Sequence, residues 1–298
     1  MAAALRQSWV AFAALLVGVA ACGGGDSVPD RTTFGGERAT ELLVPSSYDH
    51  AVPAPIVLVL HGYSINGAVE AGYTRLADLT REGVLVVAPD GTEDPDGNLY
   101  WNAEHQGCGL GGDTRPDDVG YLLGLLDEIA AVFNVDPDRV YVFGHSNGGF
   151  MAYRLACEHA DRVAALISLA GAPALDPDDC APSSPLSILQ IHGDADDTVL
   201  YGGADAVVDI PCPYPAATDT VARFAAFNGC DAQLSASGER LDLESSLPGT
   251  DTRIDTHANC AAGIATELWT IEGGGHIPAL RPDAYLTMWD FFRAHPRP

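Results

Sequence analysis

The feature that most limits how this chain can fold is an alternation that begins at Pro55. Apolar, β-branched-rich runs of strand length, Ile56 to Leu60, Val84 to Ala88, Val140 to Phe143, Val163 to Leu169, Leu186 to Ile191 and Ala265 to Ile271, alternate with longer helical patterns. Runs that are apolar on both faces fit strands buried on both sides, the signature of a parallel sheet covered by helices. The expected fold class is therefore α/β, with a mostly parallel central sheet and helices on both faces. Val119, Leu122, Leu123, Leu126, Ile129 and Ala130 recur with helical spacing behind Pro116-Asp117-Asp118, a capped start. A second helix follows Ser146 through Met151, Leu155 and Ala156, and later patterns run from Ala217 to Phe227 and from Pro282 to Phe292. Val199 to Pro215, rich in glycine, proline and alanine, reads as a loop over the strand ends, whereas the polar segment from Gln233 to Asn259 yields no element. With no internal repeat and no second linker, residues 35–298 are expected to form one domain, a size that single α/β domains commonly reach.

The first 21 residues read as an export signal, with Arg6 ahead of an apolar run from Trp9 to Ala21 that is short for a membrane span. Val19-Ala20-Ala21-Cys22 followed by Gly23-Gly24-Gly25-Asp26-Ser27 resembles a bacterial lipobox with a flexible tether over 22–34; ordinary cleavage and release is the alternative. Either way the mature protein is expected outside the cytoplasm, secreted or lipid-anchored through Cys22 to the outer membrane or cell surface. Six cysteines remain after Cys22, and an oxidising compartment favours pairing them. Element order suggests Cys157 with Cys180 and Cys230 with Cys260, leaving Cys108 with Cys212; no C-x-x-C spacing supports a zinc site instead. A net charge of −26, with arginine as the sole basic residue type, repels phosphate backbones and anionic lipid, so nucleic acid is not an expected partner. Aspartate is spread through the loops and not gathered in a tail, which reads as a soluble, self-repelling surface.

The strongest local signal is Gly144-His145-Ser146-Asn147-Gly148-Gly149, a G-x-S-x-G turn lying between a strand and a helix. A serine on so tight a turn has strained backbone angles, and side chains at the flanking positions would collide with neighbouring strands, so glycine is needed there. The helix that follows aims its N-terminus and the Asn147 amide at developing negative charge. Chain order extends the pattern to an acid and a histidine on loops after later strands. The strand ending at Ile191 runs into His192-Gly193-Asp194-Ala195-Asp196-Asp197, and the strand ending at Ile271 into Glu272-Gly273-Gly274-Gly275-His276. Each candidate stands at the carboxyl end of its strand, where sites of open α/β sheets form. The expected catalytic set is Ser146, Asp196 and His276, with Asp197 the next choice for the acid. A calcium cluster or a solvated loop is the competing reading of the aspartates, which lack calcium-loop spacing. The loop Leu60-His61-Gly62-Tyr63-Ser64 is positioned to supply a second oxyanion donor, the Tyr63 amide, beside that of Asn147. No cofactor and no metal is expected.

With these residues in place, the chain resembles the secreted esterases of the α/β-hydrolase fold that include polyhydroxybutyrate depolymerases and feruloyl esterases. The resemblance runs from Leu42 to the last helix. It rests on Leu60-His61-Gly62, Tyr100-Trp101-Asn102-Ala103, Asp117-Asp118-Val119-Gly120-Tyr121, Arg139-Val140-Tyr141-Val142, the turn through Met151-Ala152-Tyr153-Arg154-Leu155-Ala156-Cys157, the His192-Gly193 loop and Gly273-Gly274-Gly275-His276. The family pattern H-G-x-x-D-x-x-V falls on His192, Gly193, Asp196 and Val199 and favours Asp196 as the acid. The resemblance implies a monomeric serine esterase acting on feruloyl-type or hydroxyalkanoate esters, with Trp101, His145, Tyr201 and Ile277 near the substrate pocket. Trp101 and Tyr63 are candidates to stack on an aromatic acyl group, Trp101 being equally readable as a packed strand-end aromatic. Three departures fall near that pocket: a lone Cys108 after the W-N-A segment, Leu200 before Tyr201, and Ile277-Pro278 after the histidine. The chain shows no appended polymer-binding module after its last helix, which tilts the expectation toward a soluble or cell-wall aryl ester and away from solid polyester. A serine peptidase of the same fold and a non-catalytic surface lipoprotein are the rival readings.

Overall fold

The computed structural model describes residues 29–103, 115–204 and 213–298. Among the described residues, twelve strands and five α-helices follow one another in the order β1 (Thr33–Phe34), β2 (Thr40–Leu43), β3 (Ala54–Leu60), α1 (Gly67–Tyr73), β4 (Leu85–Val87), β5 (Thr92–Glu93), β6 (Leu99–Tyr100), α2 (Asp118–Ala130), β7 (Val135–His145), α3 (Asn147–His159), β8 (Ala165–Leu169), β9 (Ser187–Gly193), α4 (Ala217–Phe227), β10 (Leu234–Leu241), β11 (Thr252–His257), β12 (Thr266–Ile271) and α5 (Ala284–Ala294). Ten of the strands form one sheet in the order β1-β2-β4-β3-β7-β8-β9-β12-β11-β10, and β5 pairs with β6 in a separate hairpin. The six central strands, β4 to β12 in that order, run parallel, and the edge strands β1, β2, β11 and β10 join through antiparallel pairs.

The period-two pleat explains why those runs are apolar throughout. Ile56, Leu58 and Leu60 of β3 face a core shared with Leu122 and Leu125 of α2, Met151 and Leu155 of α3 and Phe224 of α4. Val57 and Val59 face the opposite core, shared with Met288, Trp289 and Phe292 of α5 and with Leu76 and Leu79 of a 3-10 turn. Val140 and Val142 alternate with Tyr141 and Phe143 between the same two cores on β7. The sheet is thus covered on both faces.

Two sequence expectations need correction. Residues 233–259, which gave no element, form β10, β11 and the turn between them. β10 is exposed along most of its length, and β11 buries Thr252, Asp255 and His257 beside a single apolar residue, Ile254, so neither shows an apolar alternation. The tether expected over 22–34 stops short, because Thr33 and Phe34 pair with Glu41 and Thr40, and Phe34 is 1% exposed in the core. The export segment and Cys22 lie outside the described residues.

Disulfides join Cys157 to Cys180 and Cys230 to Cys260, as element order suggested; Cys108 and Cys212 lie outside the described residues. The first ties α3 to the segment after β8, and the second ties the end of α4 to the segment after β11. Closing a 30-residue separation restricts the unfolded chain, so Cys230→Ser with Cys260→Ser is expected to lower the unfolding free energy by about 3 kcal/mol. Urea denaturation of the double variant against wild type checks this, and a loss below about 1 kcal/mol would show that the closure does not limit the unfolded state.

Candidate active site

The register of the parallel strands sets the site. Leu60 lies opposite Gly144, His145 opposite Leu169, Leu169 opposite Ile191, and Ile271 opposite Gly193. The loops leaving β3, β7, β9 and β12 therefore emerge side by side at the carboxyl edge of the sheet.

The turn at Ser146 is as tight as the glycine pattern demanded. A Cβ at Gly144 would stand 2.1 Å from the Gly148 carbonyl oxygen, and one at Gly148 2.2 Å from that of Leu60. One at Gly149 would meet Ser168 Oγ at 2.7 Å. Ser146 itself holds φ 54° and ψ −122°, a strained conformation for a residue with a side chain, which costs on the order of 1–3 kcal/mol. Its amide donates to Leu169 O at 2.8 Å, and Phe150 N donates to Ser146 O at 3.0 Å, so strand and helix hold the strain from both sides.

His276 Nε2 lies 2.9 Å from Ser146 Oγ, and His276 Nδ1 lies 2.8 Å from Asp196 Oδ2. Asp196 is 5% exposed, and its Oδ1 accepts the amides of Thr198 and Val199 at 2.8 and 2.9 Å. His192 Nε2 sits 3.3 Å from Asp196 Oδ2 and donates to Val199 O at 2.7 Å. Burial pushes the Asp196 carboxyl up, but the hydrogen bonds from His192, His276 and Thr198 outweigh it and hold the group well below the usual carboxylate range. The two neighbouring aspartates have other work. Asp194 Oδ1 accepts Gly273 N at 2.6 Å and pins the histidine loop, while Asp197 meets, among the described residues, only the Thr198 hydroxyl, at 3.3 Å.

The loop after β3 is held by side chains at nearly every backbone group. Trp101 Nε1 donates to His61 O at 3.1 Å, Glu70 Oε2 accepts Gly62 N at 3.3 Å, and His61 Nδ1 donates to Gly62 O at 2.7 Å. Gly91 N donates to His61 Nε2 at 2.8 Å, which leaves the hydrogen of that ring on Nδ1. In a trans peptide the N–H points opposite the C=O, so fixing Gly62 O fixes the direction of the Tyr63 amide, which donates to no described residue. A Cβ on Gly62 would lie 3.4 Å from Ser146 Cβ, so this loop borders the serine directly. The Asn147 amide, the first of α3, has no intrahelical acceptor.

The pocket residues expected from the resemblance are placed differently. Trp101 is 1% exposed and packed in the core, so it cannot stack on a ligand. Its backbone N donates to Asn147 Oδ1 at 2.7 Å and its backbone O accepts from Asn147 Nδ2 at 3.0 Å. His145 is 4% exposed beneath His276, with ring centroids 5.3 Å apart, and is likewise no pocket wall. Tyr201 stands edge-on to His192 at 5.5 Å with its hydroxyl on Thr270 Oγ1 at 2.8 Å, behind the acid loop. Ile277 is 69% exposed beside His276, and Tyr63 is 36% exposed with its hydroxyl on Asp94 at 2.5 Å. Sequence reasoning missed Glu70, whose lone acid on a short amphipathic stretch gives no periodic signal, and Glu244, which lies in the unassigned segment and accepts Ala279 N at 2.7 Å from the histidine loop.

A protein-family model described as "Putative esterase" matches residues 32–219, which include Ser146 and Asp196. The chain is 33% identical over 238 residues to "Putative esterase NocK" of Nocardia uniformis subsp. tsuyamanensis, covering 74% of this chain and 64% of that protein. It is 29% identical to feruloyl esterase B of Piromyces equi, covering 86% of this chain and 45% of that one, so it spans less than two thirds of either relative. Feruloyl esterase D of Neurospora crassa is 25% identical, with 91% and 88% covered. Among solved structures, an acetyl xylan esterase from Aspergillus awamori superposes with a TM-score of 0.58 at 16% identity, over 86% of this chain and 94% of that one, which is a likeness of fold. With more than half of its length matched by the family model, on an α/β-hydrolase-type sheet, the chain belongs to the esterase family.

Proposed function

We propose that the protein hydrolyses carboxylic esters outside the cytoplasm through an acyl-enzyme, with Ser146 as nucleophile, His276 as general base and Asp196 as the acid that orients the imidazole. The observation that carries this reading is the unbroken chain from Ser146 Oγ through His276 to Asp196 at 2.9 and 2.8 Å, on a serine held in the left-handed region. As Ser146 attacks the ester carbonyl, His276 takes its proton, and the Tyr63 and Asn147 amides receive the oxyanion. His276 then returns the proton to the leaving alcohol, and water repeats the cycle to release the acid. The ionised Asp196 stabilises the imidazolium formed in each half.

The substrate class we favour is a feruloyl-type ester, supported by two similar proteins named feruloyl esterases. A hydroxyalkanoate ester is the second candidate, since a poly(3-hydroxybutyrate) depolymerase of Ralstonia pickettii is 32% identical over 127 residues. With Trp101 buried, the stacking partner we propose for an aromatic acyl group is Tyr63. The disulfides fit an oxidising compartment, and lipidation at Cys22 is the anchor we propose if the protein is retained at a membrane.

A fluorophosphonate probe is expected to label wild type and not Ser146→Ala, whose kcat/KM falls by at least about a thousandfold. Absence of labelling of folded wild type would sink the enzyme reading. Methyl ferulate, a short p-nitrophenyl ester and a hydroxybutyrate oligomer, assayed side by side, decide the class; preference for the oligomer would replace the feruloyl assignment.

The pH dependence follows from Asp196. A carboxylate with a lowered folded pKa contributes stability above its unfolded value near pH 3.9, and that contribution goes only as pH falls toward the lowered value. Over about pH 4–8 Asp196 therefore stays ionised, and its protonation is expected to add nothing to the acid limb of log(kcat/KM), whose slope does not exceed one. A slope near two would mean that the carboxylate protonates in the same range.

A further inference from the structure

Glu70 is fully buried on α1, yet ester hydrolysis as outlined gives it no task. Its Oε2 accepts Gly62 N at 3.3 Å and faces His145 Nδ1 at 3.2 Å, while Oε1 has no partner among the described residues. From its other nitrogen, His145 reaches the His276 carbonyl oxygen at 3.1 Å. A carbonyl only accepts, so His145 Nε2 carries a hydrogen; Glu70 Oε2 must at the same time accept from Gly62. A carboxyl and an imidazole sharing one proton satisfy all three contacts. A neutral amide at position 70 does not. If its oxygen stays on Gly62, a neutral His145 needs its hydrogen on Nδ1 and loses the tie to His276; if its NH2 turns to Nδ1, Gly62 loses its acceptor.

We propose that Glu70 and His145 are positioning residues, a buried pair that ties the peptide carrying the Tyr63 amide to the backbone of His276. The proposal rests on the ester-hydrolase reading. Tyr73, one turn along α1, braces the same span, with its hydroxyl on Pro278 O at 2.7 Å and its ring 5.7 Å from that of His145. Burial pushes the His145 imidazole down and the Glu70 hydrogen bond pushes it up, and the net displacement is upward. The pair thus passes beneath Ser146 and sets the distance between the oxyanion donor on one side and the base on the other. Effects of this kind fall on the transition state, in which both must engage at once, and not on ground-state binding.

The test is kcat and KM of Glu70→Gln and His145→Gln on a p-nitrophenyl ester, each normalised to sites titrated to completion with a fluorophosphonate, together with the affinity for a boronic acid that mimics the tetrahedral adduct. Expected is a fall of about ten- to a hundredfold in kcat per titrated site, a parallel loss of boronate affinity, and KM within about threefold of wild type. An active wild type beside variants whose kcat per site stays within about twofold would overturn the proposal. So would failure of both variants to yield folded, titratable protein, which would assign the pair to stability alone. An inert wild type would instead remove the hydrolase reading, and this inference with it.

Discussion

The site depends first on how closely α3 approaches the ends of β3 and β8. Backbone meets backbone there: the Gly148 position lies against the Leu60 and His61 carbonyls, and Gly149 against Ser168 and Gly171. Any side chain at those positions would lift the helix from the sheet, and with it the turn that forces Ser146 to positive φ. The same principle recurs on the other side of the site, where a Cβ at Gly193 would stand 2.1 Å from the Gly274 carbonyl oxygen. Contact between the acid and histidine loops is thereby made by main chain, reinforced by Ala195 N on Gly274 O at 3.0 Å. Distances within the proposed triad are set by these glycine contacts more than by the triad residues themselves.

The acidity of the chain takes on a second meaning in this setting. A net charge of −26 reads as surface repulsion, yet the loops at the carboxyl edge are stapled by carboxylates that accept backbone amides. Asp196 holds Thr198 and Val199, Asp194 holds Gly273, Asp251 holds Leu243 and Glu244, Glu244 holds Ser246 and Ala279, and Asp118 holds Asn102. Charge-assisted bonds to N–H groups are stronger than neutral ones and satisfy amides that a turn leaves without partners. Of these, Asp118 also pairs with a cation, Arg38 at 2.6 Å, whose guanidinium lies 3.6 Å over the Tyr121 ring. Many of the aspartates are thus loop fasteners, and only Asp196 among the three of its loop points at the histidine.

The central sheet was readable because its strands are buried on both faces and so carry no polar alternation to obscure them, and α2 to α5 because their apolar stripes recur with helical spacing. Ser146, Asp196 and His276 were readable because their loops follow strands and contain the glycines that close approach requires. The edge strands were not: β10 is exposed between its two terminal leucines, Leu234 and Leu241, and no apolar alternation marks it. Glu70 was hidden for a different reason. Its partners come from positions 62 and 145, and no local pattern reports that a seven-residue helix will carry one acid into the space between them.

The burial of Trp101, the packed of its two readings, shows where specificity has to be sought. The Tyr100-Trp101-Asn102 segment carries family resemblance because it is scaffold: Asn147 pairs with Trp101 in the manner of a strand, Asp118 takes the Asn102 amide, and Arg154 donates to the Asn102 carbonyl at 2.6 Å. A residue gripped at backbone and ring alike cannot adapt to an acyl group without disturbing Asn147, whose own amide is one of the two proposed oxyanion donors. Among the aromatic and pocket candidates, the side chains most open to solvent are Tyr63, at 36%, and Ile277, at 69% exposure. They differ in kind: Tyr63 is anchored through Asp94 and presents a fixed aromatic face, whereas Ile277 has no polar group to hold it and adapts by rotamer alone. On the proposed ester-hydrolase reading, a flat aromatic acyl group would gain from the first and a branched aliphatic chain from the second.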